Sequence, residues 1–215
     1  MSDNDLIMAQ REGACLTVTI NRPAKANSLT PQMLVSLRDV FLEAGSDTAL
    51  RAVIITGACG RVFCAGADLN TLSIDVNGPD PWDEMAEALR AIPVLTLAAI
   101  NGPCIDGGMT LALSCDIRVC VPEARFSYPV LKNNVLPGQY DVNRMHALIG
   151  PGRSAAILLG GDAVSAEDAA MWGLVDRMVT QEVLTDTCQT LCAPAIASAD
   201  GHLKTLKSML GRSSR

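Results

Sequence analysis

The sequence predicts an α/β fold built as one domain. Short, β-branched apolar runs such as Ala52–Thr56 (AVIIT) read as buried strands. Segments of helical period alternate with them, the pattern of strands covered by helices. The 215 residues fall close to the usual domain size of ~100–200.

The elements follow in order. Leu6–Gln10 and Cys15–Asn21 flank Arg11-Glu12-Gly13, which predicts an opening hairpin. Asn21–Asn27 (NRPAKAN) breaks the pattern as a loop. Thr30 and Pro31 read as N-cap and first helical residue, and Met33, Leu34, Leu37, Val40, Phe41 and Ala44 follow at helical spacing until Gly45 stops the helix. After the AVIIT strand comes a Gly/Cys-rich stretch, Gly57–Gly66, and later a polar loop, Thr71–Pro81. Glu84–Arg90 reads as helix, Pro93–Ile100 as a buried strand with proline at its start, Asn101–Gly108 as a glycine-rich turn and Met109–Leu113 as a short apolar helix. Ile117–Val121 is strand-like. Gly152–Leu159 and Ser165–Trp172 read as helices, the second capped by Ser165. Leu174–Val179 is a last strand, and Val183–Leu210 is helical with breaks.

Composition narrows the function. With 49% hydrophobic and 19% charged residues, the chain is no disordered tail. Aromatics are 3%, too few for a base-stacking nucleic-acid platform, and the core must be aliphatic. A net charge of -6 disfavours binding to nucleic acid or anionic membranes. Eight cysteines form no C-x-x-C pair, and His146 and His202 lie far apart, so no metal site is expected. The cysteines read as small buried hydrophobes in a reducing compartment. The acidic start MSDNDLIMAQREG lacks a signal pattern, and the apolar run near Ile92–Ile100 is too short to span a bilayer, so a cytoplasmic protein is expected.

Two stretches carry the chemistry: Arg61–Leu69 (RVFCAGADL) and Asn101–Met109 (NGPCIDGGM). Each follows a buried strand and leads toward a helix. Such turns expose backbone N–H groups, and glycine admits a ligand closely. Two such N–H groups aimed at one point make an oxyanion hole. Neither stretch is G-x-G-x-x-G or a P-loop, and no G-x-S-x-G elbow is present. Spacing alone leaves two readings open: two tight structural turns, or a paired N–H site.

The chain resembles the crotonase, or enoyl-CoA hydratase/isomerase, superfamily from about Leu6 to Lys207. FCAGADL is similar to the family's first oxyanion turn, and NGPCIDGGMTLALSCDIRV to its triple-glycine turn, helix and next strand. ARFSYPV, VLPG, NRM, LLGG and SAEDAAMWGLVD continue the pattern in order. The resemblance implies a crotonase-like spiral of ββα units. Residues 1–180 would form the core, and residues 181–215 a shortened helical C-terminal segment of the same domain. It also implies an acyl-CoA substrate, no cofactor beyond the coenzyme A of that substrate, and a homotrimer or dimer of trimers.

Site residues follow by resemblance. The N–H groups of Ala67 and Gly107 would hold the thioester oxygen. Ala24, Lys25 and Ala26 would line the coenzyme A loop, where Arg22 and Lys25 suit its phosphates. Ala65, Asp68 and Leu69 would lie beside the thioester end, and Asp106, Thr110 and Val130 would face the acyl group. The hydratases' two glutamates map onto Thr110 and Val130, so two-glutamate hydration lacks its acid and base. Isomerisation, decarboxylation or thioester hydrolysis fit better.

Tyr140 and Asp141, near a helix start where several members place a working carboxylate, are the catalytic candidates. A dipole-stabilised helix aspartate remains an open reading of Asp141. Asp106 reads as a turn or N-cap aspartate, with a local acid/base beside the oxyanion turn as the other reading. Tyr128, Asn133 and Asn134 are further polar candidates, His146 reads as a helix histidine, and Asp116 as structural. The acyl-pocket walls are expected in Leu72–Met85 and Leu131–Val142. Relatives continue by one or two helices past HLKTLKSML, so a more open pocket, or cover from a neighbouring subunit, is expected. The alternative function is a non-catalytic subunit that binds CoA esters or supports a partner enzyme.

Overall fold

The computed structural model describes residues 6–71, 80–199 and 201–210. The first part of the expected wall Leu72–Met85, through residue 79, lies outside the described residues.

β1 (Ile7–Glu12) and β2 (Cys15–Ile20) form the opening hairpin, and Gly13 takes φ +59° at its turn. The first strand runs through Arg11 and Glu12, so the turn is tighter than the sequence reading placed it. β2 then pairs in parallel with β3 (Ala52–Gly57), β3 with β4 (Leu95–Ile100), β4 with β6 (Ile117–Cys120), and β6 with β9 (Arg177–Met178). The large sheet has the order β1-β2-β3-β4-β6-β9. Its central strands are buried, which is why they read as unbroken apolar runs.

A smaller sheet stands beside it: β5 (Cys104–Ile105), β7 (Arg125–Ser127) and β8 (Val164–Ser165). Single bridges extend it, Cys64 to Cys104 and Leu29 to Ala67. After β3, β4 and β6 in turn, the chain leaves the large sheet and adds a short extended piece to the small one. This is the spiral of strand pairs and helices that the resemblance implies. Strands of two or three residues give no periodicity, so β5, β7 and β8 do not show in the sequence as elements.

α1 (Pro31–Ser46) starts as expected, with Met33 N–H donating to Thr30 Oγ1 at 3.2 Å. It buries Met33, Leu34, Leu37, Phe41 and Ala44. Gly45 does not stop it: the helix carries on to Ser46, because solvent-side glycine costs only about 1 kcal/mol. α2 (Pro81–Ala91) packs alongside, capped by Asp80, which accepts from Trp82 N–H at 2.9 Å. α3 (Gly107–Ser114) is buried at every residue. α4 (Val130–Asn133) is a single turn.

α5 (Gln139–Leu158) corrects the helix expected at Gly152–Leu159, which is only its second half. Gly150 breaks it at φ +79° and Pro151 restarts it, so one long element looks in sequence like a helix with a polar prelude. α6 (Ala166–Trp172) carries the expected Ser165 cap, which accepts from Asp168 N–H at 3.0 Å. The strand expected over Leu174–Val179 shrinks to β9: Arg177 and Met178 pair with β6 in register, and Asp176 and Val179 add single N–H bonds to Arg118 O and Cys120 O. α7 (Leu184–Ile196) and α8 (His202–Met209) form the C-terminal part. Among the described residues no helix is long and apolar enough to cross a membrane.

Candidate active site

The two glycine turns meet. Leu29 N–H donates to Gly66 O, and Asp68 N–H to Leu29 O, both at 2.8 Å. Ala67 between them therefore turns its own N–H to the other side. Ile105 N–H donates to Cys64 O at 2.9 Å, which sets the second turn against the first. A Cβ added to Gly66 would lie 2.5 Å from Asp106 Cβ and 3.0 Å from the Gly107 nitrogen. Gly66 takes φ +85°, so glycine there is required by conformation and by space.

Gly107 opens α3, and a first-turn N–H has no partner within its own helix. Neither Ala67 nor Gly107 donates its N–H in the backbone network of the described residues. A Cβ on Gly107 would overlap the Trp82 ring, and one on Gly108 would lie 2.5 Å from Cys64 O. Trp82, from the first turn of α2, therefore roofs the second turn. Cavities of about 390 Å³ and 770 Å³ lie elsewhere, against α7 and between α7 and α8, and neither touches Ala67, Gly107 or Asp141. The Trp82 ring lies in the space over Gly107.

The first loop is held from below. Arg22 donates to Ser28 O at 3.1 Å and Ser28 Oγ at 3.0 Å, and pairs with Asp68 Oδ2 at 2.8 Å. This guanidinium holds the Asp68 carboxyl below the usual carboxylate range. Arg22 thus ties the loop to the first turn. Asn27 adds a second tie: its Oδ1 accepts from Arg22 N–H at 3.0 Å, and its Nδ2 donates to Val62 O at 2.7 Å. Ala24, Lys25 and Ala26 are exposed on the rim, and Ala65 N–H donates to Ala26 O at 3.2 Å. Leu69 is 65% exposed beside them.

Three side chains from separate elements converge behind the second turn. Thr110 Oγ1 donates to Asp141 Oδ2 at 2.7 Å, and Tyr128 O–H donates to the same oxygen at 2.9 Å. Thr110 and Tyr128 oxygens are also 2.9 Å apart. All three residues are buried. Burial raises the Asp141 carboxyl above its ordinary value, against the two hydrogen bonds and Arg90, which pull it down. A helix-dipole aspartate would move the other way, so burial outweighs the dipole here. Tyr140 instead packs its ring under Arg90, 4.2 Å from the guanidinium carbon. Val130 is buried at the start of α4.

Asp106 sits at the N-cap position of α3, yet its side chain caps nothing, which corrects the N-cap reading. Its N–H donates to Ser127 O at 2.9 Å, and its Oδ2 accepts a long contact from Asn133 at 3.4 Å. Burial raises its carboxyl too.

The comparisons with known proteins show the family. The family model for enoyl-CoA hydratase/isomerase matches residues 10–215. The chain belongs to the enoyl-CoA hydratase/isomerase family. A probable enoyl-CoA hydratase, echA6, of Mycobacterium tuberculosis is 37% identical over 167 residues, 78% of this chain and 68% of the relative. A 1,2-epoxyphenylacetyl-CoA isomerase of Escherichia coli is 32% identical over 196 residues, 87% of this chain and 74% of the relative. The crystal structure of an enoyl-CoA hydratase/carnithine racemase from Magnetospirillum magneticum superposes with a TM-score of 0.89 at 30% identity, covering 97% of this chain and 80% of that one.

Within this enoyl-CoA hydratase/isomerase fold, the sequence reading picked out Ala67, Gly107, Asp106 and Asp141; the structure sets Asp106 and Gly107 against the Gly66 turn that precedes Ala67, and joins Asp141 to Thr110 and Tyr128. The sequence reading missed Trp82 as the roof and Tyr128 as the partner of Asp141. Scarcity was the available signal, since the chain has two Trp and two Tyr in all. Nothing in the spacing pairs Tyr128 with Asp141. Among the described residues no cluster of three or more His, Cys, Asp or Glu could hold a metal ion.

Proposed function

We propose that the protein is an acyl-CoA enzyme that stabilises a thioester enolate or tetrahedral oxyanion with the N–H groups of Ala67 and Gly107. One observation carries this reading: two turns from different parts of the chain meet at Gly66 and Gly107, and both N–H groups are left without a backbone partner. Such donors act by being fixed in place before charge develops. Coenzyme A would lie over the exposed Ala24–Ala26 rim, where Lys25 supplies positive charge. Arg22 is engaged with Asp68, so the phosphates would rely on Lys25.

The reaction is isomerisation, decarboxylation or thioester hydrolysis rather than two-glutamate hydration. Positions 110 and 130 are Thr and Val, and neither side chain can serve as a carboxylate acid or base. That same feature supports a second reading, a CoA-ester-binding subunit without turnover. A panel of CoA thioesters followed by absorbance and mass spectrometry separates the two. Turnover supports the enzyme; ester binding with no turnover supports the subunit. Gly107→Pro removes one donor but also sets a Cβ against the Trp82 ring, so it is compared with Gly107→Ala, which adds the same Cβ and keeps the N–H; turnover of the Pro variant should fall ~100–1000-fold below that of the Ala variant. Retained turnover would show that Gly107 N–H is not a donor.

Assembly as a homotrimer or dimer of trimers belongs to the same proposal. Leu131, Leu136, Leu159 and Met171 are exposed apolar side chains that subunit contact would cover. Light scattering on the purified protein reads the mass directly.

A further inference from the structure

We propose that the Thr110–Tyr128–Asp141 cluster is a proton relay, with Asp141 as a neutral acid that acts through the Thr110 hydroxyl on the α-carbon of the bound enolate. It rests on the acyl-CoA reading above and adds what that reading lacks, a source for the proton.

The geometry is a triangle of oxygens with edges of 2.7, 2.9 and 2.9 Å. With both hydroxyls donating to Asp141 Oδ2, the Thr110–Tyr128 edge carries no proton. A protonated Asp141 would instead donate to one hydroxyl and release that hydroxyl's proton for the third edge, and burial at 2% exposure favours this neutral form. Thr110 lies about one helical turn past Gly107 on α3, the same helix that carries the proposed Gly107 donor, whereas Tyr128 and Asp141 come from other elements. Charged and titratable groups face the cluster from each side. Arg90 and Asp83 of α2 act on Asp141 with opposite sign, and Asp106 acts on Tyr128.

Atoms and electrons balance in this step. The enolate electron pair forms a C–H bond at the α-carbon with the Thr110 hydroxyl proton. The Asp141 proton moves to the Thr110 oxygen. The thioester carbonyl re-forms, and Asp141 is left as a carboxylate that accepts from both Thr110 and Tyr128, the two-proton state of the same triangle. Run backwards, the ionised carboxylate draws the α-proton out through Thr110.

The test is exchange of the α-protons of butyryl-CoA in heavy water, read by mass spectrometry, beside calorimetric binding of the same ester. The wild type should exchange at a rate that rises with pH to a plateau, with its midpoint above the usual carboxylate range. Asp141→Asn should bind the ester within about twofold and lose exchange by about 100-fold or more. Thr110→Ser should keep exchange and Thr110→Val lose it. Tyr128→Phe should move the midpoint up, because the carboxylate loses a donor. The infrared band of a protonated carboxyl, present in the wild type and absent from Asp141→Asn, reads the neutral acid without any ester. Should Asp141→Asn not fold, the two Thr110 variants carry the kinetic arm. Undiminished exchange in Thr110→Val, or a wild type that binds the ester without exchanging it, overturns the relay and leaves the acyl-CoA reading intact. A wild type that does not bind the ester overturns the acyl-CoA reading itself.

Discussion

At Asp106 the backbone takes φ +53° and ψ −118°, a conformation L side chains rarely adopt. Glycine adopts this conformation freely, and holding aspartate in it costs roughly 1–3 kcal/mol. Asp106→Gly should therefore raise the melting temperature, by about 2–4 °C per kcal/mol recovered. A lower melting temperature would mean that the Asn133 contact outweighs the strain. Asp141 makes a second prediction. Its folded carboxyl is raised by burial, so its stabilising share is present below the ordinary carboxylate range and lost as pH rises through the raised value. Urea unfolding over a pH series should show that slope in the wild type and a flatter one in Asp141→Asn. At this scale the sequence marked Asp106 and Asp141 as candidate polar residues beside the turns. It did not show that Asp106 caps nothing or that Asp141 is buried, because both depend on neighbours 27 and 31 residues away.

Among the elements, α2 and α3 decide access to the site. Trp82 lies against Gly107, so an incoming thioester has to move the indole. Butyryl-CoA should change the tryptophan emission, and Trp82→Phe should abolish that change. Trp172, stacked by Arg153 at 5.3 Å on α6, serves as the internal reference. An unchanged spectrum on saturation would place the ester elsewhere. Gly108 differs from Gly107 in what it makes room for, since it lets α3 pack on the Cys64 carbonyl. Gly108→Ala forces a Cβ into contact at 2.5 Å and should cost about 1–3 kcal/mol in urea unfolding. Long amphipathic or buried elements were legible from periodicity, α1 and β3 above all. The break in α5 at Gly150 and the two- and three-residue strands of the small sheet were not, since they are set by partners and not by local pattern.

For the molecule as a whole, two buried cations tie later parts of the chain to the large sheet, Lys207 from α8 and Arg118 through the segment before β9. Lys207 of α8 donates to Val94 O at 2.7 Å and pairs with Asp116 at 2.8 Å, and Asp116 also accepts from Thr96 N–H at 2.9 Å. Arg118 of β6 is fully buried and reaches Leu174 O, Cys115 O and Asp176 at 2.7–3.0 Å. Removing one partner of such a pair strands the other in the core, so Lys207→Ala should destabilise by about 3–5 kcal/mol. A loss under about 1 kcal/mol in urea unfolding would show that α8 adds little to the fold. The sequence by itself determined the alternation of strand and helix, the two glycine turns and their kinship, because these are local patterns of residue type. Only the tertiary structure decided that the turns meet, that Trp82 roofs the second of them and that Thr110, Tyr128 and Asp141 share one hydrogen-bond network. Those facts join residues 13 to 41 positions apart, and such contacts arise from the packing of the spiral rather than from any stretch of chain.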